Sequence, residues 1–322
     1  MQERGIHDGS MVSILIPCFN AERWIAEAIE SCLEQSVSVG QIIVYDDASR
    51  DNSLAIIEKF GDQVEVIRSR RNSGGQVARN ALLSRATGEW VQFLDADDFL
   101  QKRKIEADLS VLNSVSGVDI VLSSTLRKYC PEEAYGEKLV LSEESDLWSL
   151  WISWDMPQTG GFLWNKAALQ RIGGWNQEWK NCQDYELSLR ALKEDLRFAV
   201  IAESWEESSA VYRQWSDETV SKKNLQSVIE NRSHLTLDAM RMLEESGKLS
   251  GEHKRRAGVA FFEMFRSLAG QNIEHARSFL NSIPESISLI PEGVAAPWHY
   301  RWVAACIGFV NAERIGKILR RS

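Results

Sequence analysis

Long apolar runs are missing from this 322-residue chain. No stretch approaches the ~18 residues a bilayer-spanning helix needs, and the most apolar late segment, Trp302 to Val310, is too short to cross. A basic block is missing as well. The formal net charge is −9, so nothing in the sequence competes for a phosphate backbone, and no nucleic-acid partner is expected. Cys18, Cys32, Cys130, Cys182 and Cys306 show neither C-x-x-C spacing nor dense pairing, which points to a reducing cytosol rather than a disulfide scaffold. The five histidines, His7, His234, His253, His275 and His299, are scattered, and none pairs with a cysteine at zinc-like spacing. The opening MQERGIHDGS lacks the order of a signal peptide. The expectation is a cytoplasmic chain, soluble or held peripherally at the inner face of the cell membrane. There is no internal repeat and no low-complexity tract.

What is present is enough apolar residue, 44%, for one large core and an appendage. Val12 to Ile16, Gln41 to Tyr45, Val64 to Ile67 and Trp90 to Leu94 are short, continuous apolar runs of the kind that form fully buried strands. Helical stripes separate them. Asn20 is placed to cap the first, whose core positions are Trp24, Ile25, Ala28, Ile29 and Cys32. The alternation predicts an α/β fold with a mostly parallel sheet covered on both faces, and ligands in such sheets bind beyond the carboxyl ends of the strands. Tyr129 to Leu147 turns polar and acidic, as an excursion or loop would. From about residue 221 the pattern is helical only, ending in one segment from Trp298 to Leu319. The domain expectation is a flexible stretch over 1–10, a catalytic α/β domain over 11–220 and a helical region over 221–322.

The acids fall where that fold would put a ligand. Trp90 to Leu94 delivers Asp95, Asp97 and Asp98 into the turn at its end, and Gln41 to Tyr45 ends at Asp46-Asp47. Three acids within four residues repel one another and gain little as structure. A divalent cation carrying a diphosphate would relieve them.

These segments together resemble family 2 glycosyltransferases with the GT-A fold. The resemblance rests on Ser13-Ile14-Leu15-Ile16-Pro17-Cys18-Phe19-Asn20, Val44-Tyr45-Asp46-Asp47-Ala48-Ser49, Phe93-Leu94-Asp95-Ala96-Asp97-Asp98 and Asp184 within Cys182-Gln183-Asp184-Tyr185-Glu186-Leu187, and covers roughly residues 11 to 215. It implies inverting transfer of a sugar from a nucleotide-diphosphate donor to a saccharide or lipid-linked saccharide acceptor, in surface polysaccharide assembly such as O-antigen or capsule. Asp97 would hold Mn²⁺ or Mg²⁺ at the donor diphosphate. Asp95 would lie against the ribose with Ala96 beside it, and Asp98 would orient the loop or touch the sugar.

Pro17, Phe19 and Asp47 would form the nucleobase pocket. Phe19 stacks on the base or belongs to the core; Asp47 accepts from a ring N–H, which favours a uridine or thymidine diphosphate. Asp46 would instead hold backbone amides in the following turn. Arg79 reaches toward the base or pairs with the acids of the crevice. Asp184 is the expected base, its alternative being an N-cap for the helix from Tyr185. The family usually shows Glu-Asp there; Gln183 removes a like charge beside the base. Gly174 and Trp175 resemble the turn lining the acceptor site. Arg213 resembles the basic residue that closes over the diphosphate, with 216–223 as a lid.

Two other functions were weighed: a catalytically weak GT-A-like sugar-binding scaffold, and a sugar-phosphate nucleotidyltransferase. The second usually opens with a glycine- and basic-rich loop, which Pro17-Cys18-Phe19-Asn20 is not. The late helices carry aromatic faces and a basic end, Arg314, Lys317, Arg320 and Arg321, open to packing, homo-oligomer contact or a membrane surface.

Overall fold

The computed structural model describes residues 8–130, 134–138, 141–142, 144–201, 207–215, 224–293 and 295–319. Residues 1–7 of the expected flexible stretch and the whole of the expected lid, 216–223, lie outside these; residues 9–11 form a short 3-10 turn whose N-cap is Asp8. The chain forms two compact units, Met1–Ser145 with Pro157–Thr219, and Asp146–Met156 with Val220–Ser322. The second unit thus draws in a mid-chain segment that chain order alone assigns to the first.

In the first unit, among the described residues, the main sheet has seven strands. β1 (Val12–Cys18), β2 (Gln41–Asp46), β3 (Glu65–Arg68) and β4 (Trp90–Phe93) are joined by parallel ladders, β1 lying between β2 and β4. A dipeptide strand, β5 (Phe99–Leu100), follows; β6 (Ile120–Leu122) lies further across the main sheet. Next in the chain are β7 (Thr125–Cys130), β8 (Ala134–Lys138) and β9 (Phe162–Asn165). β9 runs antiparallel between β4 and β6, while β10 (Phe198–Val200) pairs parallel with β6. The sheet is mostly parallel, as the alternation of buried runs predicts. The antiparallel β9 at its centre is a finding of the structure.

A second sheet, ordered β5, β11 (Ala210–Trp215), β7, β8, takes in Tyr129, Cys130 and Ala134–Lys138 of the excursion expected over Tyr129 to Leu147. The pattern of β7 shows why: its middle residues alternate between part-buried and exposed, so it carries polar side chains on one face.

Helices cover the main sheet. α1 (Ile25–Leu33) buries Ile25, Ala28, Ile29 and Cys32, the predicted stripe. Asn20 does not cap it. Its backbone is left-handed and its side-chain oxygen accepts from the Arg50 amide at 2.8 Å, pinning one loop to the next. α2 (Ser53–Ile57), α3 (Gly75–Arg85) and α4 (Lys104–Ser114) follow. Lys104 and Asp108 form an ion pair with no exposed surface, and Lys104 Nζ also donates to the Gln92 side chain at 2.7 Å. Gln92 in turn donates to the carbonyls of Phe93 and Gly160, so this buried network braces the strand that ends in the acidic turn. Burial pushes Lys104 down and Asp108 up, the latter to about 6.

The second unit begins with α5 (Leu147–Ser153), out of chain order. Asp146 caps it, accepting from the Trp148 amide, and Asp146 also meets His253 Nε2 at 2.8 Å. α6 (Lys166–Arg171) and α7 (Gln183–Lys193) belong to the first unit. The remaining helices are α8 (Leu225–Glu245), α9 (Gly251–Gln271), α10 (Ile273–Ser282), α11 (Trp298–Ile307) and α12 (Phe309–Leu319). The single late helix expected from Trp298 onward is broken at Gly308, whose φ of +80° ends α11. Phe261, Phe262, Phe265, Phe279 and Tyr300 make the centre of this unit's core.

Candidate functional site

β1, β2 and β4 all end at one side of the main sheet, where a cavity of about 580 Å³ opens. Pro17, Phe19, Asp47, Arg79, Asp95, Ala96 and Asp97 all line it, together with Trp24 and Asn72. Seven residues drawn from four separate sequence segments therefore share one crevice.

The second strand supplies the frame. Asp47 is buried, and its two carboxylate oxygens accept from the Ser73 amide at 2.9 and 3.0 Å and from the Gly74 amide at 2.8 Å. Asp46 accepts from the Ser49 amide at 3.3 Å. Both acids thus hold turns, although sequence reasoning assigned that work to Asp46. The turn held by Asp47 starts α3, and one turn into that helix Arg79 lies across the cavity. A Cβ at Gly75 would stand 2.9 Å from the Arg79 guanidinium, so glycine is what admits it.

Arg79 is the hub of the site. It pairs with Asp95 at 2.5 Å, donates to the Gln183 side chain at 2.9 Å, and stacks over Trp175 with 4.6 Å to the ring centre. Gln183 passes the connection on, donating to Gln76 at 3.0 Å, and Gln76 donates to the Gln177 carbonyl at 3.3 Å. An amide at position 183 accepts from Arg79 and donates to Gln76 at once; a carboxylate could only accept. Sequence reasoning treated Gln183 as a lost acid, and the structure shows it as a link between α3 and α7.

Asp184 stands half-buried in the first turn of α7. Burial raises its carboxyl above the usual range, backbone amides at the helix start and the Arg79 charge oppose the rise, and Asp95 adds to it. The helix begins at Gln183 with Cys182 at its N-cap position and no side-chain cap, so the reading of Asp184 as the N-cap of a helix from Tyr185 does not hold. Asp184 sits inside the first turn, where a carboxylate suits the helix N-terminus. Asp98 is buried and pushed well above the carboxylate range, by burial first and then by Asp97 and Asp95. It accepts from the Arg213 amide at 2.8 Å, which makes it the loop-orienting acid.

Arg213 is placed differently from expectation. Only 2% exposed, its guanidinium donates to the Asp97 carbonyl at 2.7 Å, pairs with Glu27, and lies over Trp24 and Phe99 at 4.7 and 4.8 Å. It clamps the acidic turn through the Asp97 carbonyl and the Asp98 carboxylate, and it is not among the residues that line the cavity. Tyr212, one residue earlier on β11, is the group that sequence reasoning missed. Burial and then Asp98, Asp97, Asp95 and Asp184 push its phenol up to about 12, so it stays protonated among four carboxylates.

Trp175 is 3% exposed, edge-on to Phe93 at 5.3 Å, with its backbone bound at both ends by Asn80. The Gly174 carbonyl accepts from Arg190 at 2.7 Å. This turn is a wall beneath Arg79 and presents no open ring for a sugar.

Among the described residues, no three His, Cys, Asp or Glu side chains gather into a ligand set. Hard cations at diphosphate sites commonly take one or two protein carboxylates and complete their shell from phosphate and water. The mutual repulsion of Asp95, Asp97 and Asp98 is relieved by an added cation, so the residues present fit one.

An acid-tipped parallel sheet with a crevice at its strand ends is the GT-A-like glycosyltransferase fold. Staphylococcus aureus TarS, solved in complex with UDP-GlcNAc, superposes with a TM-score of 0.65 at 18% identity, covering 95% of this chain and 91% of that one. Residues 13–141 match the family described as Glycosyl transferase family 2. The putative teichuronic acid biosynthesis glycosyltransferase TuaG of Bacillus subtilis is 38% identical over 32% of this chain and 42% of its own length. The Escherichia coli UDP-Glc:alpha-D-GlcNAc-diphosphoundecaprenol beta-1,3-glucosyltransferase WfgD is 34% identical over 34% and 44%. The match spans about half the length, or less, of these curated relatives.

Proposed function

We propose that the chain is an inverting glycosyltransferase of surface-polysaccharide assembly. It transfers a sugar from a uridine or thymidine diphosphate donor to a hydroxyl of a glycan or lipid-linked glycan. The observation that carries this is the shared cavity: Pro17, Phe19, Asp47, Arg79, Asp95, Ala96 and Asp97 converge on it, and Asp184 directly follows Gln183, which Arg79 holds.

Phe19, 44% exposed, offers its ring to the base. Asp47 fixes the adjoining turn; its Oδ2 accepts from both the Ser73 and Gly74 amides, and Oδ1, which accepts from Ser73 alone, keeps a lone pair for a ring N–H. Asp95, held by Arg79, borders the ribose. Asp97 would hold Mn²⁺ or Mg²⁺, which when bound supplies positive charge to the diphosphate. Asp184, ionised, accepts the proton of the acceptor hydroxyl as that oxygen bonds to the anomeric carbon. The bond from that carbon to the diphosphate oxygen breaks on the opposite face, its electron pair leaving with the nucleotide, and the configuration inverts. Gly174 and Trp175 act here as the buried support of the acceptor side. A uridine nucleotide is supported further by the donors named for WfgD and TarS.

A thermal-shift panel of UDP, dTDP, GDP and CDP with Mn²⁺ tests the donor. Stabilisation by UDP or dTDP is expected; selective stabilisation by GDP would overturn the assignment.

A further inference from the structure

The second unit keeps two of its largest aromatics outside. Trp298 and Trp302 lie one turn apart on α11 and are 76% and 70% exposed, whereas Tyr300 and Ala304 on the same helix are buried, Tyr300 against Phe262 at 5.9 Å. A helix that docks through Tyr300 and Ala304 has its orientation fixed, so the indoles face outward by construction. Arg301 is exposed between them in sequence, and Ile307 and Ile315 add exposed apolar surface beyond.

Charge separates the units. The second carries 15 lysines and arginines against 12 aspartates and glutamates, a formal +3; the first carries 22 against 34, a formal −12. The aromatic pair therefore belongs to the unit that an anionic surface attracts. Indoles favour the boundary between headgroups and acyl chains, where the ring is apolar and the N–H is wet. At 150–250 Å² of buriable surface apiece, two indoles so exposed present on the order of 300 Å². A stable protein interface takes about 800 Å² from each partner, and the two indoles alone supply well under half of that. No helix among the described residues is long and apolar enough to cross a membrane.

We infer that α11 is an interfacial anchor: Trp298 and Trp302 insert among the headgroups of an anionic bilayer, and Arg301 pairs with lipid phosphate. This inference does not depend on the transferase reading.

Co-sedimentation of the full chain tests it, with vesicles of phosphatidylcholine alone or mixed with phosphatidylglycerol. Binding to the mixed vesicles is expected, with about a tenfold or greater loss in W298S/W302S and a smaller loss in R301E. Three results would overturn it: no binding by the unaltered chain, equal binding by W298S/W302S, or a dimer in light scattering that W298S/W302S turns into a monomer. The substituted side chains are exposed, and circular dichroism checks that the variants fold. Equal binding to both vesicle types would remove the role given to charge.

Discussion

The two units use their polar and aromatic side chains in opposite ways. The first, formally −12, buries an ion pair and directs the carboxylates of two strand ends, Asp47 and Asp95 with Asp97, around one crevice. The second, formally +3, gathers phenylalanines inside and leaves two tryptophans outside. Acids gathered at neighbouring strand ends mark a place that a cationic ligand fits. Aromatics left exposed on a well-docked helix mark a place where another phase or surface supplies the missing contact. The first pattern is chemistry and the second is adhesion.

The comparison predicts that chemistry fails when the first unit alone is altered. Asp184→Asn should lower transfer by roughly 10² to 10⁴-fold and leave donor affinity nearly unchanged, because proton abstraction belongs to the transition state. Steady-state rates on an authentic acceptor, set beside donor titrations, check this. Transfer at the unaltered rate would leave Asp184 only its place in the first turn of α7.

The next effect is on stability. Asp108→Ala strands Lys104, which is fully buried, and should cost about 3–5 kcal/mol. That lowers the melting midpoint of the first unit by on the order of 10 °C in scanning calorimetry. A midpoint unmoved by the substitution would show that the pair is dispensable.

The smallest effect sharpens the role of the Arg79 hub. A base must be ionised to accept a proton, and burial raises the Asp184 carboxyl. Activity should therefore fall with acidity at a pH above the usual carboxylate range and level off at higher pH. Gln183→Glu adds a like charge beside Asp184 and removes the donor to Gln76. The acid limb of kcat/KM should then move to higher pH. Superimposable profiles would show that position 183 does not reach the base.

Much of this crevice was legible in the sequence because strand ends and acids are local features. Continuous apolar runs announced β1, β2 and β4, and the acids directly after them announced the site. What was not legible depends on facing and partnership. The segment carrying Arg213 was recognised, yet a motif locates a strand without fixing what its side chains touch; the structure holds Arg213 against the Asp97 carbonyl, Glu27 and two aromatic rings. Phe162–Asn165 is apolar, but direction within a sheet leaves no local mark, so its antiparallel insertion was missed. The mid-chain α5 belongs to the second unit through long-range partners, the Asp146–His253 pair among them, which spacing in sequence does not record.

The central claim is that the acid cluster of the first unit holds a nucleotide diphosphate through a cation at Asp97. Calorimetric titration of UDP into the unaltered chain and into Asp97→Ala, each with and without Mn²⁺, tests it most directly. The unaltered chain should bind with an affinity that depends on the metal, and Asp97→Ala should lose that metal-dependent binding while keeping its circular dichroism. The same affinity and the same metal requirement in Asp97→Ala would contradict the assignment.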